Sequence, residues 1–278
     1  MVNKLILITL CFVLVVLIDF RNQLKDLTKT VNSLEFKNLS KEEIEFQTAV
    51  IAKEMKGKSD SVLSIRCSDS NSKKIKRWNG TASKVSENLI LTAEHIFSNN
   101  GIDENHKDEK GEKEVPKEFP IFCNLYSKGK KVGTYSSEKN EMRQIGLQDL
   151  AIAKVEFNNE GLDLESLDPE VQKVDVGDRL VLITHPKNFI NDNIITFGVV
   201  LNDDTSKLLE SKRKEYWKNT ILTDMTASHG SSGSPLFTFK GELIGIHVGG
   251  VRESFNANYQ IVFDRDFAKI YKDMKKEK

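Results

Sequence analysis

From about residue 61 onward the chain is a succession of short apolar runs set between polar turns. Residues 89–92, 150–157, 180–184, 194–201, 236–239, 243–248 and 259–263 each have the length and composition of a strand. Many short strands with turn residues between them predict an all-β barrel or sandwich rather than alternating α/β units. Helical spacing appears only at the two ends of this region. Ahead of it, Ser40 and Glu43 form a capping box, Ile44, Ile51 and Met55 supply an apolar stripe, and Gly57 ends the helix. After it, residues 264–278 place Phe267, Ile270 and Tyr271 on one helical face. Residues 98–117 are charged and carry Gly101, Gly111 and Pro116, which predicts a long exposed loop. Residues 158–174, rich in acids and leucines, read as the connection between two lobes, and no internal repeat is evident.

The N-terminus has a different texture. Residues 5–18 are almost wholly apolar, with Lys4 before them and Asp19 and Arg21 after them. The strict run falls short of the roughly 20 residues that a bilayer core asks of a helix, but Val2, a snorkelling Lys4 and Phe20 extend it. A cleaved signal peptide begins in the same way, yet signal peptidase needs small residues just beyond the apolar region. Here the first Ala is Ala49 and the first Gly is Gly57, so the run reads as an uncleaved single-pass anchor. Its orientation stays open. Arg21, Lys25 and Lys29 favour a cytoplasmic body by the positive-inside rule, whereas short-tailed anchors of this shape mostly export the body of the chain. Leu24, Leu27, Val31 and Leu34 then form a brief a/d seam, which supports either a weak self-association through a helical stalk or a helix resting on its own domain.

Charge narrows the function classes. The 41 basic and 41 acidic side chains cancel, so the chain lacks the basic excess of a nucleic-acid binder. The three cysteines rule out a disulfide scaffold and a CxxC zinc site, and allow at most one bridge in the folded part, Cys67 with Cys123. His106 and His185 have no second ligand at metal spacing, and neither a metal nor any other cofactor is expected.

Three segments carry candidate chemistry. Leu91-Thr-Ala-Glu-His95 runs from a strand into a histidine, Asp149-Leu-Ala-Ile152 opens an apolar strand with an aspartate, and Gly230-Ser-Ser232-Gly-Ser-Pro235 holds a serine in a small-residue turn. Each alone has a bland explanation as a packed histidine, a turn-forming aspartate or a common β-turn. Together they follow the order His, Asp, Ser across one all-β region, the chain order of the chymotrypsin arrangement.

On these motifs the chain resembles a trypsin-like serine protease from about residue 61 to its end. Thr92-Ala-Glu-His95 is similar to the family's Thr-Ala-Ala-His segment, Asp149-Leu-Ala to its Asp-Leu-Ala or Asp-Ile-Ala segment, and Gly230 to Pro235 to its nucleophile turn. Val176-Gly-Asp-Arg-Leu180, His185-Pro186 and Thr196-Phe-Gly198 resemble the second-barrel pattern of bacterial-type members. The resemblance implies two six-stranded antiparallel β-barrels of chymotrypsin-like form with a C-terminal helix, and a protein or peptide as substrate. It also implies that Ser232 is the nucleophile, His95 the base, Asp149 its orienting partner, and the amides of Gly230 and Ser232 the oxyanion hole. The expected organisation is a membrane anchor over 1–20, a helical stalk over 21–58 and a protease domain over 59–278.

The departures indicate a subtype. There is no Cys beside His95, no Ile-Val-Gly-Gly activation segment, and Ser231 stands where zymogen-type members carry the Asp that pairs with a newly released amine. The residues after Ser232 suffice for a second barrel and a helix, leaving no room for a PDZ domain. Gly245-Ile-His247-Val-Gly-Gly250 resembles the strand of glutamyl endopeptidases and picornaviral main proteases whose His lines the pocket for Glu or Gln. An imidazole N–H suits either side chain, although a buried core His fits the same position. That resemblance makes His247, Thr226 and Gly249 substrate-binding candidates, with Ala227 in place of the Thr that glutamyl enzymes usually carry. The rival readings are a catalytically silent peptide-binding module of the same fold and a quality-control protease that recognises apolar chain ends.

Overall fold

The computed structural model describes residues 41–69, 77–98, 120–158, 164–186, 193–205, 217–250 and 257–277. The chain divides into two units, Met1–Thr48 and Ala49–Lys278. The predicted anchor, the a/d seam, Ser40 of the capping box and nearly all of the charged loop lie outside the described residues. Among the described residues no helix is long and apolar enough to cross a membrane.

Helix α1 (Lys41–Lys58) runs one residue past Gly57 and passes into a 3-10 turn, Ser59–Ser61. Ile51 and Met55, four apart and therefore on one face, are buried. They lead the chain into the larger unit's first sheet.

That sheet contains β1 (Val62–Asp69), β2 (Arg77–Lys84), β3 (Leu89–Thr92), β4 (Ile121–Ser127), β5 (Lys130–Ser136), β6 (Met142–Gln144), β7 (Ala151–Lys154) and β8 (Glu156–Phe157). Their order is β6-β7-β3-β2-β1-β4-β5-β8. The expected first barrel of six is therefore an eight-stranded sheet that does not close as a continuous ladder. The predicted 150–157 strand is divided at Val155: its N–H still donates to the Asn88 carbonyl at 2.9 Å, one step further along the β3 pairing, and Glu156 and Phe157 pair elsewhere. Residues before the break pair with β3, and those after it pair with β5 at the far edge. One extended segment thus supplies the far-edge strand β8 and, through β7, the strand next to the opposite edge. Cys67 and Cys123 face each other across β1 and β4 and are joined by a disulfide, which the sequence left open.

The second ring is a closed barrel of six antiparallel strands, as expected: β9 (Arg179–Thr184), β10 (Ile194–Asn202), β11 (Thr220–Thr223), β12 (Pro235–Thr238), β13 (Leu243–Gly250) and β14 (Asn258–Val262). Leu182, Val200, Met225, Leu236 and Ile244 fill part of its interior. Helix α2 (Arg265–Lys276) follows. Asp264 caps it by accepting the Phe267 N–H at 2.9 Å. Phe267, Tyr271 and Met274 are buried at the i, i+4, i+7 positions of one face, and Ile270 is partly buried beside them. The Tyr271 hydroxyl donates to the Val85 carbonyl at 2.8 Å, so the helix that ends the second barrel is fastened to the first sheet.

Candidate active site

His95 sits in the 3-10 turn Glu94–Ile96 that follows β3. The turn is held from β2, where the Trp78 indole N–H donates to the Ile96 carbonyl at 2.9 Å. Asp149 lies just ahead of β7, and because β3 and β7 pair directly the two side chains meet. One carboxylate oxygen accepts the His95 backbone N–H at 2.9 Å, and the other lies 2.6 Å from His95 Nδ1. A carboxylate can only accept, so Nδ1 carries the proton and Nε2 keeps its lone pair for a substrate-side proton. Asp149 is buried, whereas His95 is 37% exposed toward solvent.

Burial pulls the His95 pKa down, but the hydrogen bond and charge of Asp149, joined by the charge of Glu94, outweigh it and leave the imidazole above its ordinary value. Glu94 is itself raised, first by burial, although a Ser98 hydroxyl bond opposes the rise. The sequence offered Glu94 only as a departure from the family's alanine. A consequence is measurable. An imidazole acts as a base only when neutral, so activity that depends on His95 would rise as pH climbs through its pKa. Glu94→Gln removes a charge that raises this pKa, and the acid limb of the kcat/KM profile is expected to move to lower pH. An unmoved limb would show that Glu94 does not tune the base.

Ser232 is half-buried in the turn before β12. This turn is carried to the histidine by close packing at Gly233. A Cβ built there would stand 2.1 Å from the Thr81 carbonyl and 3.0 Å from the Ala93 nitrogen, and its φ of +86° belongs to glycine. Thr81 of β2 grips the turn twice: its N–H donates to the Ser232 carbonyl at 2.7 Å and its hydroxyl to the Gly230 carbonyl at 2.8 Å. The Ser231 carbonyl accepts the Ser234 N–H at 3.0 Å. In a trans peptide the N–H points opposite to its carbonyl, so this bond fixes the Ser232 amide in the direction opposite to the Ser234 nitrogen. Gly230, with φ at +95°, supplies the sharp bend ahead of it. The expected oxyanion residues are thus in a pinned turn.

His247 lies on β13 directly opposite Gln260 of β14 and is 3% exposed. Burial lowers its pKa to about 4, so the imidazole is neutral in neutral solution. By hydrogen-bond geometry neither His247 Nδ1 nor Gln260 Oε1 is paired, although the Gln260 side chain and the Tyr259 backbone are near enough to the ring to push its pKa up against the larger effect of burial. Gln260 Nε2 donates to the Thr223 hydroxyl at 3.1 Å, which orients the amide. The fields of His95 and Asp149 both reach His247, placing it within electrostatic range of the pair. Gly249 is half-exposed, with open space where a Cβ would stand, and a bulge separates it from His247. Thr226 is exposed. Among the described residues no cluster of side chains is arranged to hold a metal ion.

With this geometry in place, comparison with known proteins is decisive. A model of the trypsin-like peptidase domain matches residues 80–246. The chain belongs to the trypsin-like peptidase family. His95, Asp149 and Ser232 all fall inside the matched segment. Among curated relatives, a glutamyl endopeptidase of Staphylococcus aureus strain MW2 is 29% identical over 177 residues, covering 62% of this chain and 47% of the relative. Its counterpart in strain MRSA252 is 28% identical over the same length. The chain therefore spans about half the length of the curated relatives it matches. Solved structures share the fold. The active form of the Rv3671c protease from M. tuberculosis aligns with a TM-score of 0.51 at 16% identity, covering 77% of this chain and 81% of that one. An HtrA-type protease, AlgW with a tripeptide, aligns at 0.55 and 17% identity, covering 81% and 64%.

Within this trypsin-like peptidase the sequence singled out His95, Asp149 and Ser232 but not the residues that brace them. Thr81 and Thr184 act across long stretches of chain, and Gln260 reaches His247 only through strand register. None has a local motif to mark it.

Proposed function

We propose that this chain is a membrane-anchored serine endopeptidase that cuts after Glu, with Gln as the nearest competitor. The observation that carries the peptidase reading is the His95–Asp149 pair, with its proton placed on Nδ1, beside a pinned turn that presents Ser232. The steps obey the serine triad logic. Ser232 Oγ attacks the scissile carbonyl carbon while its proton passes to His95 Nε2. Asp149 stabilises the resulting imidazolium. The Ser232 and Gly230 amides receive the oxyanion. Collapse expels the amine, which takes the proton from His95, and water then repeats the sequence to release the acyl group.

The substrate strand has an edge to join. β13 pairs with β14 as far as Gly250, but with β12 only as far as Ile246. Among the described residues, Val248–Gly250 have no strand partner on the β12 side, and a peptide there would extend the sheet. The open space at Gly249 leaves room for its backbone.

Support for an acidic or amide residue before the cut comes from His247. A buried polar atom without a partner costs about 1–3 kcal/mol, and a Glu or Gln side chain would supply one. The glutamyl endopeptidase relatives point the same way. A peptide library digested by the protein tests the reading: cleavage concentrated after Glu and Gln supports it, and a preference for Val, Leu or Arg would end the glutamyl part while leaving the peptidase part standing.

Attachment is proposed from the apolar run at 5–18, which has no small-residue cleavage site after it. The Cys67–Cys123 bridge supports export of the body, since such bonds persist in oxidising compartments. The full chain is expected to remain with membranes after carbonate washing, with both thiols resistant to alkylation until reduced. A mature N-terminus well beyond Phe20 would show a cleaved signal instead.

A further inference from the structure

We propose that Thr184 is a positioning residue that locks the oxyanion turn through the Ser231 hydroxyl, so that the uncut chain is already competent. The proposal rests on the serine-peptidase reading and adds how its site is held in working form.

Ser231 occupies the position where zymogen-type relatives place an aspartate that waits for a released amine. A hydroxyl cannot form that ion pair. Its oxygen instead accepts two hydrogen bonds: from the Thr184 hydroxyl at 2.5 Å and from the Ser228 N–H at 3.1 Å. Both hydroxyl-bearing residues are buried, at 0% exposure for Ser231 and 2% for Thr184, where a hydrogen bond competes with no water and an unmade one is costly. The Ser231 N–H returns to the Ser228 carbonyl at 2.9 Å, so the turn from Ser228 to Ser231 is closed by backbone and side chain together. Ser231 also carries the carbonyl whose bond to the Ser234 N–H aims the Ser232 amide. Freeing the Ser231 side chain therefore loosens the peptide plane that forms half of the oxyanion hole.

Thr184 is well placed for this because it ends β9, which is bonded to β10 on one side and β12 on the other within the closed barrel. The next residue, His185, donates its N–H to the Thr81 hydroxyl at 3.1 Å, and Thr81 in turn holds the Gly230 carbonyl. The end of β9 thus braces the turn at both Gly230 and Ser231.

A second observation agrees. The chain entering β1 is not built as a free end that could swing in to complete the site. It arrives from α1, whose Ile51 and Met55 are buried, and through Ser61, whose hydroxyl donates to the Glu165 carbonyl at 2.5 Å. The function served elsewhere by a liberated N-terminus falls here to a hydroxyl pair inside the barrel.

The test uses the full-length chain in detergent, with its intact N-terminus verified by mass, and a fluorogenic peptide carrying Glu before the cut. Active sites are titrated with a fluorophosphonate so that kcat refers to folded molecules. The intact wild type is expected to turn over substrate. Thr184→Val, nearly isosteric, is expected to lower kcat about 10- to 100-fold, less than the complete loss of an oxyanion donor. Its KM should stay within about twofold, the pattern of an interaction made in the transition state. Thr184→Ser, which restores the hydroxyl, should recover most of the loss, which a purely packing role would not. Ser231→Ala provides an independent reading of the same bond and should act in the same direction. Undiminished kcat in both Thr184→Val and Ser231→Ala would overturn the proposal. So would a wild type that is inert when intact but active once cut ahead of β1, and in that case the peptidase reading survives. A wild type that is inert in both forms and takes no fluorophosphonate label in either would remove both.

Discussion

Ser232→Ala is expected to reduce peptide hydrolysis by at least about 10⁴-fold while leaving the unfolding midpoint where it was. The serine is half-buried and its carbonyl, not its side chain, makes the bond to Thr81, so losing the hydroxyl removes chemistry and little structure. His95→Ala should cost a similar factor, and the double variant should cost hardly more than either single one, because the two groups act as a unit. Asp149 differs. Its buried carboxylate holds both the ring and the backbone N–H of His95. Asp149→Ala should therefore lose activity and also about 1–3 kcal/mol of stability from the amide left without a partner. Asp149→Asn keeps the shape but can present an N–H to Nδ1, which selects the wrong tautomer. It should approach the loss of the serine variant with a smaller effect on stability. Steady-state kinetics and thermal unfolding on the same preparations separate these outcomes. A Ser232→Ala protein with undiminished turnover would end the peptidase assignment.

The second large effect concerns selectivity. His247→Ala should lower kcat/KM on Glu and Gln substrates by about tenfold to a hundredfold, the range that an unpaired buried polar group of about 1–3 kcal/mol implies. Matched Leu and Ala substrates should change little. The neutrality of the imidazole adds a pH signature. An amide can be held by a neutral ring, whereas a carboxylate gains most from an imidazolium. A bound carboxylate must then draw a proton onto a group whose free pKa is about 4, so the Glu-to-Gln preference ratio should rise as pH falls. His247→Ala should flatten that ratio. If the Leu and Ala substrates lose as much as the Glu and Gln ones and the ratio is flat in the wild type, His247 is a packing residue.

What was legible in the chain depended on how locally each feature is written. β3 matched its predicted bounds because all four residues are buried and apolar or, at Thr92, small enough to share their face. The closed barrel was likewise visible in the runs that became β9, β10, β12, β13 and β14. β1 and β2 carry no comparable run, because polar residues point into the protein: Ser64, Asp69, Thr81 and Ser83 are buried there. Those inward polar groups break the alternation by which a strand is read, and one of them, the Thr81 hydroxyl, holds the Gly230–Ser232 turn. The 150–157 run gave no sign that its two parts pair with different strands, β3 before Val155 and β5 after it. The site divides in the same way. His95, Asp149 and Ser232 stand in short motifs with a recognisable order, while Thr184 and Ser231 meet only after the barrel has folded. The Cys67–Cys123 bridge was conceivable from the count of cysteines but decided by the register of β1 on β4.

The central claim is that Ser232 is a nucleophile activated by His95 and Asp149. Labelling of the intact, natively folded protein with a fluorophosphonate tests it most directly, because the probe reports an activated serine without requiring knowledge of the substrate. One label per chain is expected, located on Ser232 by peptide mapping, absent in Ser232→Ala and strongly slowed in His95→Ala. No labelling of the folded protein, or a label that survives Ser232→Ala, would contradict the claim.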